Sequence, residues 1–160
     1  MTETITFLEM TDMADLREPA APPRVEYSIR QVYDSNVNRT LYEEIGAPHK
    51  WTDRLRWSDQ QWTAWAAGVE TWIAEVDGET AGYFELRVDR ESTLISIFGI
   101  REPFRGNGLG STLLTHAIKR GFELAPRVWV STNTMDAEHA LANYEARGMR
   151  PFRREQLQGQ

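Results

Sequence analysis

The chain has 160 residues, 41% hydrophobic and 26% charged, with a formal net charge of −6; this makeup fits one globular domain with a real core and argues against disorder or a strongly basic nucleic-acid binder. It contains no cysteine, which excludes disulfides, thiolate metal sites and a cysteine nucleophile. No apolar run approaches the roughly 20 residues of a membrane span and no secretory signal opens the chain, so a soluble, cytoplasmic protein is expected.

Residues 4–10 predict a short first strand, and residues 17–24, with three prolines, an extended connector. Val25–Val32 alternates as a strand does. Asp34 or Ser35 caps a helix with Val37, Leu41 and Ile45 on one face and Gly46 at its end. A tryptophan-rich stretch follows, holding five of the six tryptophans: Trp51, Trp57, Trp62, Trp65 and Trp72. Within it Ser58-Asp59-Gln60-Gln61 reads as a capping box opening a short helix.

Val69–Val76 and Thr80–Val88 flank Asp77-Gly78, a two-residue hairpin signal. Ser92–Ile100 predicts a central strand and Gly108–Leu124 an amphipathic helix. A strand at Val128–Thr132, a helix at Asp136–Arg147 and a short strand at Met149–Arg153 complete the chain. The order predicts an α/β (α+β mixed) domain with a mixed sheet.

The most informative segment runs from Ile100 to Ser111. A buried strand enters a loop with Gly106, Gly108 and Gly110, and a helix begins at once. Free N–H groups at a helix start bind phosphate oxygens; Arg105 adds a positive charge, and Asn107, Leu109 and Ser111 complete the loop. A turn that merely joins strand to helix is the plainer alternative. The loop lacks the lysine of a Walker motif, and Ser111 stands where the dinucleotide fingerprint needs a third glycine.

The spacing Arg105-x-x-Gly108-x-Gly110 resembles the acyl-CoA pyrophosphate loop of the GNAT N-acetyltransferase family. Gly78-x-x-Ala81-Gly82-Tyr83 and Ala140-Leu141-x-x-Tyr144-Glu145-x-x-Gly148-Met149 are similar to two further family segments. Trp51-Thr52-Asp53-Arg54 is similar to a Trp-x-Asp-Arg segment of a bacterial subgroup. The resemblance implies a GNAT-like fold: a mostly antiparallel mixed sheet of six to seven strands, about four helices and a splayed strand at the acyl-CoA site. It implies one domain over 1–160, with an N-terminal strand and connector (1–24), acceptor-side helices (25–68) and an acyl-CoA-binding core (69–153). It also implies that the backbone of Phe98, Gly99 and Ile100 pairs with the acetyl carbonyl and the pantetheine arm. Ala137 stands where the family often has a cofactor-contacting asparagine, and Met149 replaces its usual phenylalanine.

Acyl transfer to an amine needs a neutral amine, a stabilised oxyanion and a proton for the departing thiolate. Without cysteine, direct attack in a ternary complex is the natural route. Tyr144 is the candidate acid, as the matching tyrosine is in the family; otherwise it is a core residue of the Ala137/Leu141 stripe. Glu85, in an otherwise apolar strand, is the candidate base, acting directly or through water; alternatively it binds the substrate's ammonium or lies on a solvated face. Tyr83 shares its face, and His49 is another candidate base.

Trp51, Asp53, Arg54 and Tyr83 are candidate acceptor contacts: an aromatic face and a carboxylate for a cation, an arginine for a carboxylate. Alternatively the tryptophans pack the helices on the sheet while Asp53 and Arg54 pair with each other. The three histidines show no metal spacing, so acetyl-CoA without a metal is expected. The sequence thus predicts an N-acetyltransferase acting on a primary amine of a small, possibly amino-acid-like molecule. No nucleic-acid or membrane partner is expected, and a homodimer is left open. Protein N-terminal or lysine acetylation, and a non-catalytic acyl-CoA-binding module, are the alternatives.

Overall fold

The predicted strands pair into one seven-stranded sheet, seen in a computed structural model that describes residues 2–49, 51–134 and 139–158. In chain order the elements are β1 (Thr2–Met10), β2 (Ser28–Val32), α1 (Ser35–Gly46), α2 (Asp59–Ala67), β3 (Glu70–Val76) and β4 (Glu79–Asp89). They continue with β5 (Ser92–Ile100), α3 (Leu109–Leu124), β6 (Arg127–Asn133), α4 (Ala140–Ala146) and β7 (Arg150–Gln158). The strand order is β2-β3-β4-β5-β6-β1-β7. Every pair is antiparallel except β5 with β6.

Local chemistry sets most boundaries. The Asp34 carboxylate accepts from the Asn36 N–H at 2.9 Å and starts α1. Ser58 and Gln61 form the reciprocal capping box of α2. Asp77 and Gly78 both take positive φ, 53° and 78°, the geometry of a tight hairpin whose twist matches the flanking strands.

Two boundaries differ from the sequence reading by three residues or more. β2 begins at Ser28 rather than Val25, because the Arg24 N–H is bonded to the Asn107 carbonyl at 2.8 Å and Val25 packs against the core from the connector. The last strand runs nine residues, since β1 supplies a partner for it from Thr2 to Glu9. The start predicted for the last helix, at Asp136, lies outside the described residues.

The sheet carries a core on each face. On one, α3 and α4 cover Leu8, Ala74, Phe84, Leu86, Ile95, Val128 and Val130. On the other, α1 and α2 cover Ile73, Tyr83 and Ile97 with Leu41, Tyr42, Ile45 and Trp62. β4 alternates between them: Phe84 and Leu86 face the first, Tyr83 the second. No helix among the described residues is long and apolar enough to cross a membrane.

His116 of α3 lies between the rings of Trp72 and Phe84, centroids 5.6 and 6.4 Å away. Burial holds its imidazole below its ordinary pKa, reinforced by Lys119 and opposed by Glu123. The unfolded chain therefore takes up this proton at higher pH than the folded one. This contribution to stability is complete above about pH 6.5 and is lost as pH falls toward the lowered folded value. Denaturant melts of wild type and His116→Gln across pH 5–8 are expected to show a shallower acid-side loss in the variant.

Candidate active site

The parallel register of β5 and β6 lasts only from Ser92–Arg127 to Leu94–Trp129. Beyond it the strands part, leaving the β6-facing edge of Ile95–Ile100 without a strand partner among the described residues. The gap opens into a cavity of about 1060 Å³, at the upper end of typical ligand pockets. An unpaired strand edge offers alternating N–H and C=O groups, which suits an amide-containing chain.

At one end stands the glycine loop. Gly108 takes φ +82° and caps α3 without a side-chain hydrogen bond, so no side chain of the capping residue occupies the first-turn N–H groups. Arg105, Gly106, Gly108, Gly110 and Ser111 line this part of the cavity. Arg105 is tethered through Nε to the Ile100 carbonyl at 3.1 Å. Asn107 turns its amide to the Phe104 carbonyl, and Leu109 is buried core. The arrangement can hold a phosphate.

Phe98, Gly99 and Ile100 line the middle, with Tyr144 across from them. Tyr144 is 6% exposed and meets Phe98 edge-on, centroids 6.4 Å apart. Its core packing and its place in the cavity wall coexist. Ala137 lies outside the described residues, but Asn143 lines the wall and directs Nδ2 at the Gly110 carbonyl, 3.5 Å away.

At the other end are Tyr42, His49, Trp51, Asp53 and Arg54. Trp51 packs against Gly46, where a Cβ would come within 2.7 Å of it, and its indole approaches Gly99. Asp53 is exposed. The Nε2 of His49 is buried without a hydrogen-bond partner among the described residues.

Two sequence candidates lie elsewhere. Tyr83 and Glu85 are wholly buried and line no part of the cavity. Burial, and then the charge of Glu85, push the Tyr83 phenol well above its ordinary pKa. Glu85, expected to be partly buried or solvated, is instead a hub. It accepts from Asn38 Nδ2 and Trp65 Nε1, both at 2.8 Å, from Arg54 Nη1 at 2.9 Å and from Ser96 Oγ at 3.4 Å. Arg54 therefore pairs with Glu85 rather than with Asp53. Its guanidinium carbon sits 4.4 Å from the Trp65 ring centroid and 5.2 Å from that of Trp57. Trp62 packs in the core against Tyr42 of α1, while Trp65 stands outside the core cluster and donates to the Glu85 carboxylate.

Three polar or charged cavity residues that sequence reasoning missed stand close to the candidate groups. Tyr42 follows Leu41 on the buried face of α1 and accepts the Arg54 N–H at 3.1 Å. Asn143 of α4 and Arg147, the residue that caps its C-terminus, stand four positions apart, a spacing that could have flagged a shared face. Arg147 is 9% exposed, its Nε and Nη1 have no partner among the described residues, and burial lowers its pKa.

Removing one member of the buried pair strands the other charge, which typically destabilises by about 3–5 kcal/mol. Arg54→Met is expected to lose stability on that scale in urea titrations. The double variant Arg54→Met/Glu85→Gln should recover part of it.

A profile of the acetyltransferase (GNAT) family matches residues 37–149. Among solved structures, a GCN5-related N-acetyltransferase from Sphaerobacter thermophilus matches with a TM-score of 0.70 at 18% identity, over 96% of this chain and 50% of that one. One from Kribbella flavida gives 0.65 at 18%, over 92% and 54%. A Bacillus subtilis acetyltransferase in complex with CoA gives 0.61 at 20%, over 78% and 77%. These likenesses are of fold, and the chain spans about half the length of the first two. No curated protein sequence matches it. With the family profile covering most of the chain, and with the strand gap and glycine loop in the order described, this protein belongs to the acetyltransferase (GNAT) family.

Proposed function

We propose that the chain transfers an acetyl or other short acyl group from acyl-CoA directly to the primary amine of a small molecule. The observation that carries the reading is the continuous cavity: phosphate-binding loop at one end, open strand edge in the middle, aromatic and acidic wall at the other. When bound, acyl-CoA supplies an activated thioester. The N–H groups at the start of α3, with Arg105, are suited to its diphosphate, and the edge of Ile95–Ile100 to the amides of its pantetheine arm.

Tyr144 holds a proton on its phenol beside Phe98 and provides it to the departing thiolate. Asp53 and the Trp51 ring attract the acceptor's ammonium. His49, in the cavity wall with Nε2 unpartnered among the described residues, is better suited than the enclosed Glu85 to take the amine's proton. Because Arg54 is held by Glu85, the reading favours recognition of the acceptor by its ammonium over recognition by a carboxylate. Glu85 then acts as the anchor of the Trp51–Trp57 segment.

The decisive experiment incubates the protein with acetyl-CoA and a panel of small amines and peptides, and follows release of free thiol. Turnover with a small amine is the expected result. Turnover only with peptides would replace the acceptor class, and tight CoA binding without turnover on any amine would overturn the enzyme reading. Tyr144→Phe is expected to lower kcat by about 10²-fold or more while the Kd for CoA, measured by calorimetry, stays within about twofold.

A further inference from the structure

The proline-rich connector between β1 and β2 lies along α3. Leu16 and Val25 anchor it in the core, the Arg17 N–H donates to the Arg147 carbonyl at 2.9 Å, and Glu18 pairs with Lys119 at 2.6 Å. Its far end reaches the glycine loop. Pro23 Cα lies 3.6 Å from where a Cβ on Gly108 would stand. The Arg24 N–H donates to the Asn107 carbonyl at 2.8 Å, and the Arg24 guanidinium donates to the Gly106 carbonyl.

These two bonds fix peptide orientations. In a trans peptide the C=O and the following N–H point in opposite directions. With the Gly106 and Asn107 carbonyls held toward the connector, the N–H groups of Asn107 and Gly108 are directed away from it. Gly106 and Gly108 have φ of +81° and +82°, and glycine populates both signs of φ readily, so the loop by itself has little reason to keep this arrangement. Pro19, Pro22 and Pro23 stiffen the strap that keeps it.

We propose that residues 16–24 are a strap belonging to the acyl-CoA site, and that Arg24 is its positioning residue. It presets the Asn107 and Gly108 N–H groups for the diphosphate and spares the ligand the ordering of the loop. The proposal rests on the acyl-CoA reading above. The strap acts on the diphosphate alone, so a donor without one is indifferent to it.

The test compares acetyl-CoA with S-acetyl-pantetheine, which has no diphosphate, in wild type, Arg24→Ala, Arg24→Lys and Pro22→Gly/Pro23→Gly, with CoA affinity measured separately by calorimetry. Arg24→Ala removes the guanidinium bond and keeps the backbone one, so it is expected to raise the KM for acetyl-CoA and the Kd for CoA by about three- to tenfold, the scale of one net hydrogen bond. Its kcat, its kcat/KM for acetyl-pantetheine and its melting temperature should stay near wild type. Arg24→Lys, which can still donate to Gly106, should recover most of the affinity. The diglycine variant keeps the charge but loosens the strap, so it should weaken CoA in the same direction. Wild-type CoA affinity in Arg24→Ala, or equal losses with both donors, would overturn the strap. Wild-type affinity in the diglycine variant would leave only the charge of Arg24 and overturn its positioning role. A wild-type protein that does not bind CoA would overturn the acyl-CoA reading and the strap with it.

Discussion

Everything around the cavity follows from the point at which β5 and β6 stop pairing. A parallel ladder that ends at Leu94–Trp129 leaves backbone groups on the rest of β5 with no strand to satisfy them. The two sides of the gap must then be held apart by other bonds. β5 is held by β4 along its whole length, and β6 by β1 from Met10–Val128 to Ile5–Asn133. Residues 5–10 are thus structural partners of a strand more than a hundred residues away. α3 begins from the loop that follows β5, which brings its uncapped end to the mouth of the same gap.

The far wall depends on a different device. Glu85 draws donors from α1, from α2 and from the segment before α2, so one buried carboxylate ties three parts of the chain to β4. An extra residue in β5 helps: Glu85 opposes Ile97 and Leu86 opposes Ile95, leaving Ser96 unmatched with its hydroxyl turned to Glu85. A buried ion pair contributes little net stability against an apolar replacement, but it is selective about geometry. It holds Arg54, and with it the neighbouring Trp51 and Asp53, at the end of the cavity opposite the glycine loop.

Periodicity and caps made the elements legible: the Asp34 cap, the Ser58 box and the Asp77-Gly78 turn are local, and each stands where the sequence puts it. The glycine loop was legible for the same reason, since strand, loop and helix are contiguous. Convergence from a distance was not. A lone glutamate in an apolar strand is visibly unusual, yet nothing in Tyr83-Phe84-Glu85-Leu86 says that Asn38, 47 positions earlier, and Arg54, 31 earlier, will close on it. The same holds for Arg24: three prolines announce an extended connector, but not the loop on which it lies.

The balance of charge brings these parts together. The chain is acidic as a whole, yet Arg54, Arg105 and Arg147 all line the cavity. Arg54 is neutralised by Glu85, which leaves it a structural cation. Among the described residues Arg147 meets no counter-charge: its Nε and Nη1 are buried without partners there, and burial lowers its pKa. A guanidinium in that state works against folding, and its place as the C-terminal cap of α4, three positions beyond Tyr144, puts the burden in the wall of the cavity. Arg105 and Arg24 add positive charge where the α3 dipole already favours an anion. An acidic surface repels a polyanion at long range, but salt screens that repulsion within about a Debye length. Close to the loop, the fixed cations and the oriented N–H groups decide the sign of the field.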